Sequence, residues 1–238
     1  MTRILIVGYG RMGQLVERLA PEYDCQVAGV LDIDLNARGE GLKDGAWRDV
    51  DVAIDFTMPE AAVGNISRYA ALGLNAVVGT TGWNHERAAV RERCEQAGIG
   101  VVAAPNFSVG AVIFEAITER AAGLLQAQPT FGAWVHEVHH DRKLDAPSGT
   151  ALGIKGAMER GGYGRTIDVS SSRAGHVPGI HEVGFDGPSE TITLTHSVRD
   201  RGTFARGALT AATWVKGRRG WFTMRDVLGL QTPEVSSP

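Results

Sequence analysis

Ile4-Leu-Ile-Val-Gly8-Tyr-Gly10-Arg-Met-Gly13 is an apolar run that ends directly on a Gly-x-Gly-x-x-Gly pattern. Residues 3–7 read as a short strand buried on both faces, and 11–20 as the amphipathic helix after it. Glycines at these spacings permit a tight turn, close approach of a pyrophosphate and close packing of helix on strand. The free N–H groups and dipole of the helix start favour an anion. The glycine pattern alone is weak, because glycines are common in turns. Here a second apolar run, 27–32, ends on a carboxylate, Asp32, about 20 residues further on, as a dinucleotide site requires. Gly8, Tyr9, Gly10, Arg11, Met12 and Gly13 are therefore expected at the pyrophosphate. Asp32 is expected to accept hydrogen bonds from the adenosine ribose. A carboxylate there repels a 2′-phosphate, so NADH is expected over NADPH, with Arg11 and Arg38 the groups that would soften the preference.

The alternation continues outward. Short apolar runs at 52–56, 76–78 and 99–103 are separated by helical patterns at 59–72 and 85–97. Pro59 suits a first helical turn, while Gly73 and Gly98 suit C-terminal stops. Repeated strand–helix units imply a parallel sheet, a Rossmann-type doubly wound α/β domain. Ligands of such sheets bind beyond the carboxyl ends of the strands. Two later loops fall there, Gly79-Thr80-Thr81-Gly82 and Ala104-Pro105-Asn106-Phe107. Each is expected to offer backbone groups and a small polar side chain to the nicotinamide half of the cofactor.

From Phe107 the pattern changes. A long apolar helix at 109–125 precedes runs of half-exposed alternation at 131–140, 166–173, 181–185 and 191–198. These suit an open mixed sheet in a second, α+β domain, interrupted by a helix at 148–160 and closed by one at 204–215. The expected division is 1–106 for the dinucleotide domain and 107–215 for the substrate domain, with 216–238 packing back on the first. The tail after Leu230 is expected to fray.

The 238 residues carry a net charge of −3, which offers no basic footprint for a nucleic acid. A membrane span needs roughly 20 apolar residues and a signal peptide needs a long apolar segment with a cleavage site. Neither pattern occurs, so a cytoplasmic protein is expected. Cys25 and Cys94 are too few for a disulfide framework and read as reduced thiols.

The chemistry concentrates in Glu137-Val-His-His-Asp-Arg-Lys-Leu-Asp-Ala-Pro-Ser-Gly-Thr-Ala151. His136-Glu-Val-His-His140 matches the zinc-protease pattern, which needs both histidines on one helical turn. The aromatic and β-branched residues before it read as strand. There His136 and His140 would stand roughly 13 Å apart, too far to share a zinc ion, so no metal is expected. Instead the strand delivers His139 and His140 to its end, and a turn brings Lys143 back towards them. Ser148 caps a helix that begins Gly149-Thr150. That helix start offers backbone N–H groups and the Thr150 hydroxyl to a carboxylate. Beside a lysine and two imidazoles, it suits a small, anionic, nitrogen-containing substrate. A surface turn of solvated charges is the bland alternative and stays open on these residues alone.

Over nearly its whole length the chain resembles the 4-hydroxy-tetrahydrodipicolinate reductase (dihydrodipicolinate reductase) family of the diaminopimelate route to lysine. The likeness rests on the signature from Glu137 to Ala151. It extends to Gly10-Arg-Met-Gly13, Asp55-Phe-Thr, Gly79-Thr-Thr-Gly82, Ala104-Pro-Asn-Phe-Ser108, Phe204-Ala-x-Gly-Ala208 and Met224-Arg-Asp-Val-Leu228. The resemblance implies an NAD(P)H-dependent oxidoreductase, with His139 and Lys143 in the catalytic proton transfers. It implies that His140, Gly149 and Thr150 bind a dicarboxylate substrate, and Ser148, the cap of that helix start, is expected in the same binding site. Residues 8–13, Asp32, 79–81 and 104–107 match cofactor contacts. It further implies a hinge between the domains and a homotetramer assembled through the second. The first loop is one residue shorter than the family's usual Gly-x-x-Gly-Arg-Met-Gly, and the stretch from Ala151 to Arg173 is also short. A different two-domain dehydrogenase and a non-catalytic dinucleotide sensor are the competing classes. The former would carry its lysine elsewhere, and the latter would need no polar constellation from His139 to Thr150.

Overall fold

The computed structural model describes residues 1–36 and 39–230. Arg38 and the tail after Leu230 lie outside the described residues. The chain divides into two compact units: Met1–Val109 with the chain from Gly202 onward, and Gly110–Arg201. The helix Gly202–Val215 therefore groups with the first unit, whereas the expected boundary at 215 had it in the second.

In the first unit the short apolar runs form β1 (Thr2–Val7), β2 (Cys25–Leu31), β3 (Val52–Asp55), β4 (Asn75–Val78) and β5 (Gly100–Ala103). Between them lie α1 (Arg11–Leu19), the short α2 (Ile33–Asn36), α3 (Pro59–Leu72) and α4 (Arg87–Ala97). A six-stranded parallel sheet results, with strand order β2-β1-β3-β4-β5 and a sixth strand at Gly220–Phe222 beside β5. That last strand is the form in which the segment after 215 returns to the sheet. α3 begins on Pro59, and α3 and α4 stop where Gly73 and Gly98 take φ +66° and +68°. Alternate strand residues serve the two faces. Leu5, Val7, Ala53, Ala76 and Val78 form one core with Ala62, Ile66 and Tyr69 of α3 and Val90 and Cys94 of α4. The chain runs from β1 out to β2 and returns to β3 on the other side of β1. The crevice for a ligand is thus set beyond Val7 and Asp55, which are register partners.

The second unit is a four-stranded mixed sheet. Its strands are β6 (Gly132–His139), β7 (Ile167–Arg173), β8 (Ile180–Asp186) and β9 (Thr191–Ser197), in the order β7-β6-β8-β9. β6 and β7 are parallel and the other pairs antiparallel. The helices α5 (Val109–Gln126) and α6 (Gly149–Arg160) supply Phe114, Ala122, Ala151, Ile154 and Met158 to a core with Ala133, Val135, Val183 and Phe185 of the sheet. Residues of β6 alternate, and its inward row runs Ala133, Val135, Glu137, His139, all buried. The last two positions of an apolar row are therefore a carboxylate and an imidazole, and burying them requires partners. The first unit is completed by α7 (Gly202–Val215), the strand β10 (Gly220–Phe222) and α8 (Met224–Val227). α7 packs on α1 and on β3, β4 and β5.

Both expected layers, a doubly wound parallel sheet and an open mixed sheet, are present. Among the described residues no helix is long and apolar enough to cross a membrane.

Candidate active site

At the crevice of the first unit a cavity of about 510 Å³ is lined by Gly8, Gly10, Asp32, Asn36 and Phe56 among others. The three motif glycines do different work. Gly8 has φ +89°, and a Cβ there would stand 2.4 Å from the Phe56 carbonyl oxygen. A Cβ on Gly13 would meet the Gly8 oxygen at 2.2 Å, whereas a Cβ on Gly10 would meet nothing within 4 Å among the described residues. Gly10 caps α1 without a side-chain hydrogen bond. Among the described residues a phosphate can thus approach the helix start without meeting a side chain, and the residues present fit a dinucleotide. The carboxylate of Asp32 accepts the Tyr9 N–H at 3.1 Å, which ties the short glycine loop to the end of β2.

The two later loops adjoin a second cavity, of about 120 Å³, lined by Thr80, Thr81, Trp83, Arg87, Ala104 and Pro105 among others. Thr80 is buried, and its hydroxyl bonds Asp55 Oδ1 at 3.1 Å and accepts the Thr57 N–H at 2.8 Å. It braces the loop, and Thr80 and Thr81 both line the cavity. Asn106 Oδ1 accepts the Ser108 N–H at 2.8 Å, and Phe107 packs edge-on against Phe56. Behind both cavities lies Asp55, fully buried, accepting from the Thr57 N–H and hydroxyl, Thr80, Asn65 and Tyr69. Burial, then the Asp55 charge and hydrogen bond, push the Tyr69 phenol well above its ordinary range. Asn65 in turn accepts from Asn36, so one polar chain runs from the wall of one cavity to the wall of the other.

In the second unit the zinc-protease pattern lies on a strand. His136 projects from the outer face, where its Nδ1 meets Ser170 Oγ at 2.8 Å. Glu137 and His139 project inward. Across the sheet, register sets Ser171, Glu137, His181 and His196 in one row, with His139 beside Arg173 in the next. His139 Nδ1 is hydrogen-bonded to Glu137 Oε2. The other oxygen, Oε1, accepts from Arg173 Nη2 at 2.7 Å and from the Ser148 N–H at 3.3 Å. Burial would raise the Glu137 pKa, but the Arg173, Ser171 and His139 hydrogen bonds override it and hold the carboxyl at about 2. For His139 burial wins and its pKa is lowered: Glu137 pulls upward, and Lys143 and Arg173 push further down. His181, packed edge-on to His139 at 5.2 Å, is pushed down to about 4 by burial and then by the His139 charge.

Ligand atoms of Glu137, His139 and His181 lie within 4.8 Å of one another, a spacing a metal ion would accept. Both Glu137 oxygens are already engaged, however, and Arg173 and Lys143 add positive charge. The chemistry of the cluster favours holding a proton.

Ser148 caps α6 through the Ala151 N–H at 3.1 Å, and its Oγ also meets His181 Nε2 at 3.3 Å. Gly149 is exposed with open space at its Cα, and Thr150 is half-buried on the first turn. Lys143 Nζ donates to both oxygens of Asp145, at 2.7 and 2.9 Å. His140 is half-buried, and its Nδ1 is buried with no hydrogen-bond partner among the described residues. Arg173 also donates to the carbonyls of Lys143 and Asp145, at 3.3 and 2.6 Å. The turn from 140 to 148 is thus fastened to the sheet by one guanidinium. A surface turn of solvated charges does not have this construction.

The dihydrodipicolinate reductase N-terminal family matches residues 2–107, and the C-terminal family of the same enzyme matches residues 110–228. The chain belongs to the dihydrodipicolinate reductase family. It is 40% identical over 256 residues to 4-hydroxy-tetrahydrodipicolinate reductase of Caulobacter vibrioides, covering 96% of this chain and 98% of that one. With the enzyme of the same name from Christiangramia forsetii it shares 35% identity, covering 94% and 97%. The fold is also that of a dipicolinate-bound dihydrodipicolinate reductase from Paenisporosarcina sp. TG-14, with TM-score 0.77, 23% identity and coverage of 94% and 97%. Like those relatives, this chain is an oxidoreductase with a nucleotide-binding sheet. Three residues of this family member were not singled out from its sequence. Asp55 and Glu137 stand inside quoted motifs, where their burial was not legible. Arg173 closes a strand of small polar residues, Ser170-Ser-Ser172, and a lone arginine in such a run is the one signal that marked it.

Proposed function

We propose that the chain reduces 4-hydroxy-tetrahydrodipicolinate to tetrahydrodipicolinate in the diaminopimelate route to lysine, the reaction for which its relatives are named. The observation that carries this is the fastened turn from His139 to Thr150. It carries a lysine, a histidine whose Nδ1 has no partner among the described residues, and a Ser-capped helix start whose Ser148 N–H donates to the buried Glu137 carboxylate.

Gly8 to Gly13 hold the pyrophosphate, Asp32 the adenosine ribose, and the main chain of 79–81 and 104–107 the nicotinamide half. When bound, the reduced nicotinamide supplies a hydride. The Gly149 and Thr150 N–H groups and the Thr150 hydroxyl grip one substrate carboxylate, and His140 and Ser148 complete the binding wall. Lys143, released from Asp145, and His139 serve the proton transfer at the developing negative charge. Asp32 favours NADH over NADPH. A kcat/KM ratio tenfold in favour of NADPH would remove that assignment. The protein is read as a cytoplasmic homotetramer, which the exposed Ile113, Ile117 and Leu124 of α5 support as a face to be covered.

The test is oxidation of NADH dependent on pyruvate plus aspartate semialdehyde, coupled through the preceding synthase. Turnover is expected with wild type, and a strong loss of kcat with His139→Ala and with Lys143→Ala while NADH affinity is retained. No turnover with wild type would favour another dehydrogenase or a sensor, and near wild-type kcat in the variants would clear these residues of catalysis.

A further inference from the structure

Glu137 is not among the residues given a part in the reaction above, yet the polar order of the second unit converges on it. It is fully buried on the inward row of β6, and all its partners are donors. Arg173 and the Ser148 N–H bond Oε1, His139 meets Oε2, and the Ser171 hydroxyl is a further donor to the carboxylate. An ionised carboxylate only accepts. The shared proton must therefore be carried by His139 Nδ1, and the neutral ring then bears its lone pair on Nε2. On that side the chain supplies room. A Cβ at Gly179 would stand 3.1 Å from His139 Nε2, and glycine removes it.

We infer that Glu137 is a positioning residue, which fixes His139 as its Nδ1–H tautomer and leaves Nε2 as the nitrogen that exchanges the proton with substrate or a held water. This rests on the catalytic reading of His139 proposed above. The same carboxylate ties the start of α6 to the imidazole through Ser148, so substrate grip and proton exchange share one anchor. Arg173 plays the supporting part. By holding Oε1 it keeps the carboxylate ionised and turned so that Oε2 faces the ring. Four charged or titratable groups face His139: Glu137 on its own strand, Lys143 on the following turn, Arg173 on β7 and His181 on β8. Of these only Glu137 favours the imidazolium. Its hydrogen bond and charge raise the His139 pKa against burial and the charges of Lys143 and Arg173, which fits the geometric assignment.

Two measurements test this. In the wild-type protein, nitrogen-15 NMR of His139 at a pH where it is neutral should show Nδ1 protonated and Nε2 bare. An Nε2–H tautomer overturns the inference whatever the residue's catalytic worth, and leaves the reading of His139 standing. In Glu137→Gln, which keeps the shape and removes the charge, the limb of the kcat–pH profile that belongs to His139 should move to lower pH by about one unit or more. NADH KM should be unchanged, since the cofactor loops are untouched. A kcat–pH profile superimposable on wild type overturns the proposal. Should the variant fail to fold, the wild-type NMR measurement still decides. The two failures are separable. A His139→Ala enzyme with wild-type kcat would remove the catalytic reading and the positioning role with it, whereas the tautomer is measured without reference to turnover.

Discussion

Replacing Arg173 with methionine, which keeps much of the side chain's length, deletes the cation from a buried ion pair. Glu137 Oε1 loses its 2.7 Å donor, and the carbonyls of Ser172, Asp145 and Lys143 lose theirs at 2.8, 2.6 and 3.3 Å. Burial drives the Glu137 pKa upward, and Arg173 heads the donors that bring it instead from 4.5 to about 2. A difference of that size corresponds to about 3 kcal/mol for all the donors together, Ser171 and His139 included, net of burial. Deleting one partner of a buried pair costs about 3–5 kcal/mol by a separate route, because the other charge is left uncompensated. Arg173→Met is therefore expected to destabilise the second unit by about 3 kcal/mol at neutral pH. A carboxylate whose folded pKa is depressed contributes its stability above the unfolded value of 4.5 and loses it as pH falls through about 2. The deficit of the variant should shrink over the same window. The double variant Glu137→Leu with Arg173→Met removes both charges and should recover most of the stability. It should recover none of the activity, since His139 has lost its carboxylate. The assay is hydrogen-exchange protection of the β6 and β8 peptides across a urea series, with kcat measured on the same preparations. A single variant as stable as wild type would refute the ion-pair reasoning, and a double variant that regains kcat would refute the positioning role of Glu137.

Two further outcomes are expected. His181, held at about 4 against an ordinary 6.5, is neutral when folded. The unfolded chain binds the proton first as pH falls, so stability is full above 6.5 and about 3 kcal/mol is lost on the way down to 4. Urea midpoints of wild type should fall through that range more steeply than those of His181→Gln, and equal slopes would refute the assignment. Asp55→Asn leaves an N–H₂ facing buried donors, which costs about 1–3 kcal/mol. NADH KM, read in the coupled assay, should rise severalfold with a smaller change in kcat. An unchanged KM would show that the Asp55 chain does not shape the cofactor loops.

Local periodicity made most of the architecture legible from the chain alone. The run from Ile4 to Gly13 announced strand, turn and helix, because a buried parallel strand and a glycine-rich phosphate turn are properties of consecutive residues. Pro59, Gly73 and Gly98 marked helix ends for the same reason, and the strand character before His136 disposed of the zinc-protease pattern. The tertiary structure decided which face each polar residue took and who met it there. Thr80 was expected among the cofactor contacts, and the chain alone did not show that its hydroxyl donates to Asp55, buried on a neighbouring strand. Glu137, His181 and Arg173 become one cluster only through the register of β6 with β7 and β8. Register is set by the packing of a whole inward row against α5 and α6. A carboxylate among apolar residues is costly unless donors arrive from other strands, and no pattern along one strand can say whether they do. The signature from Glu137 to Ala151 thus named the reaction site, and only the assembled sheet showed that its first residue holds the others in place.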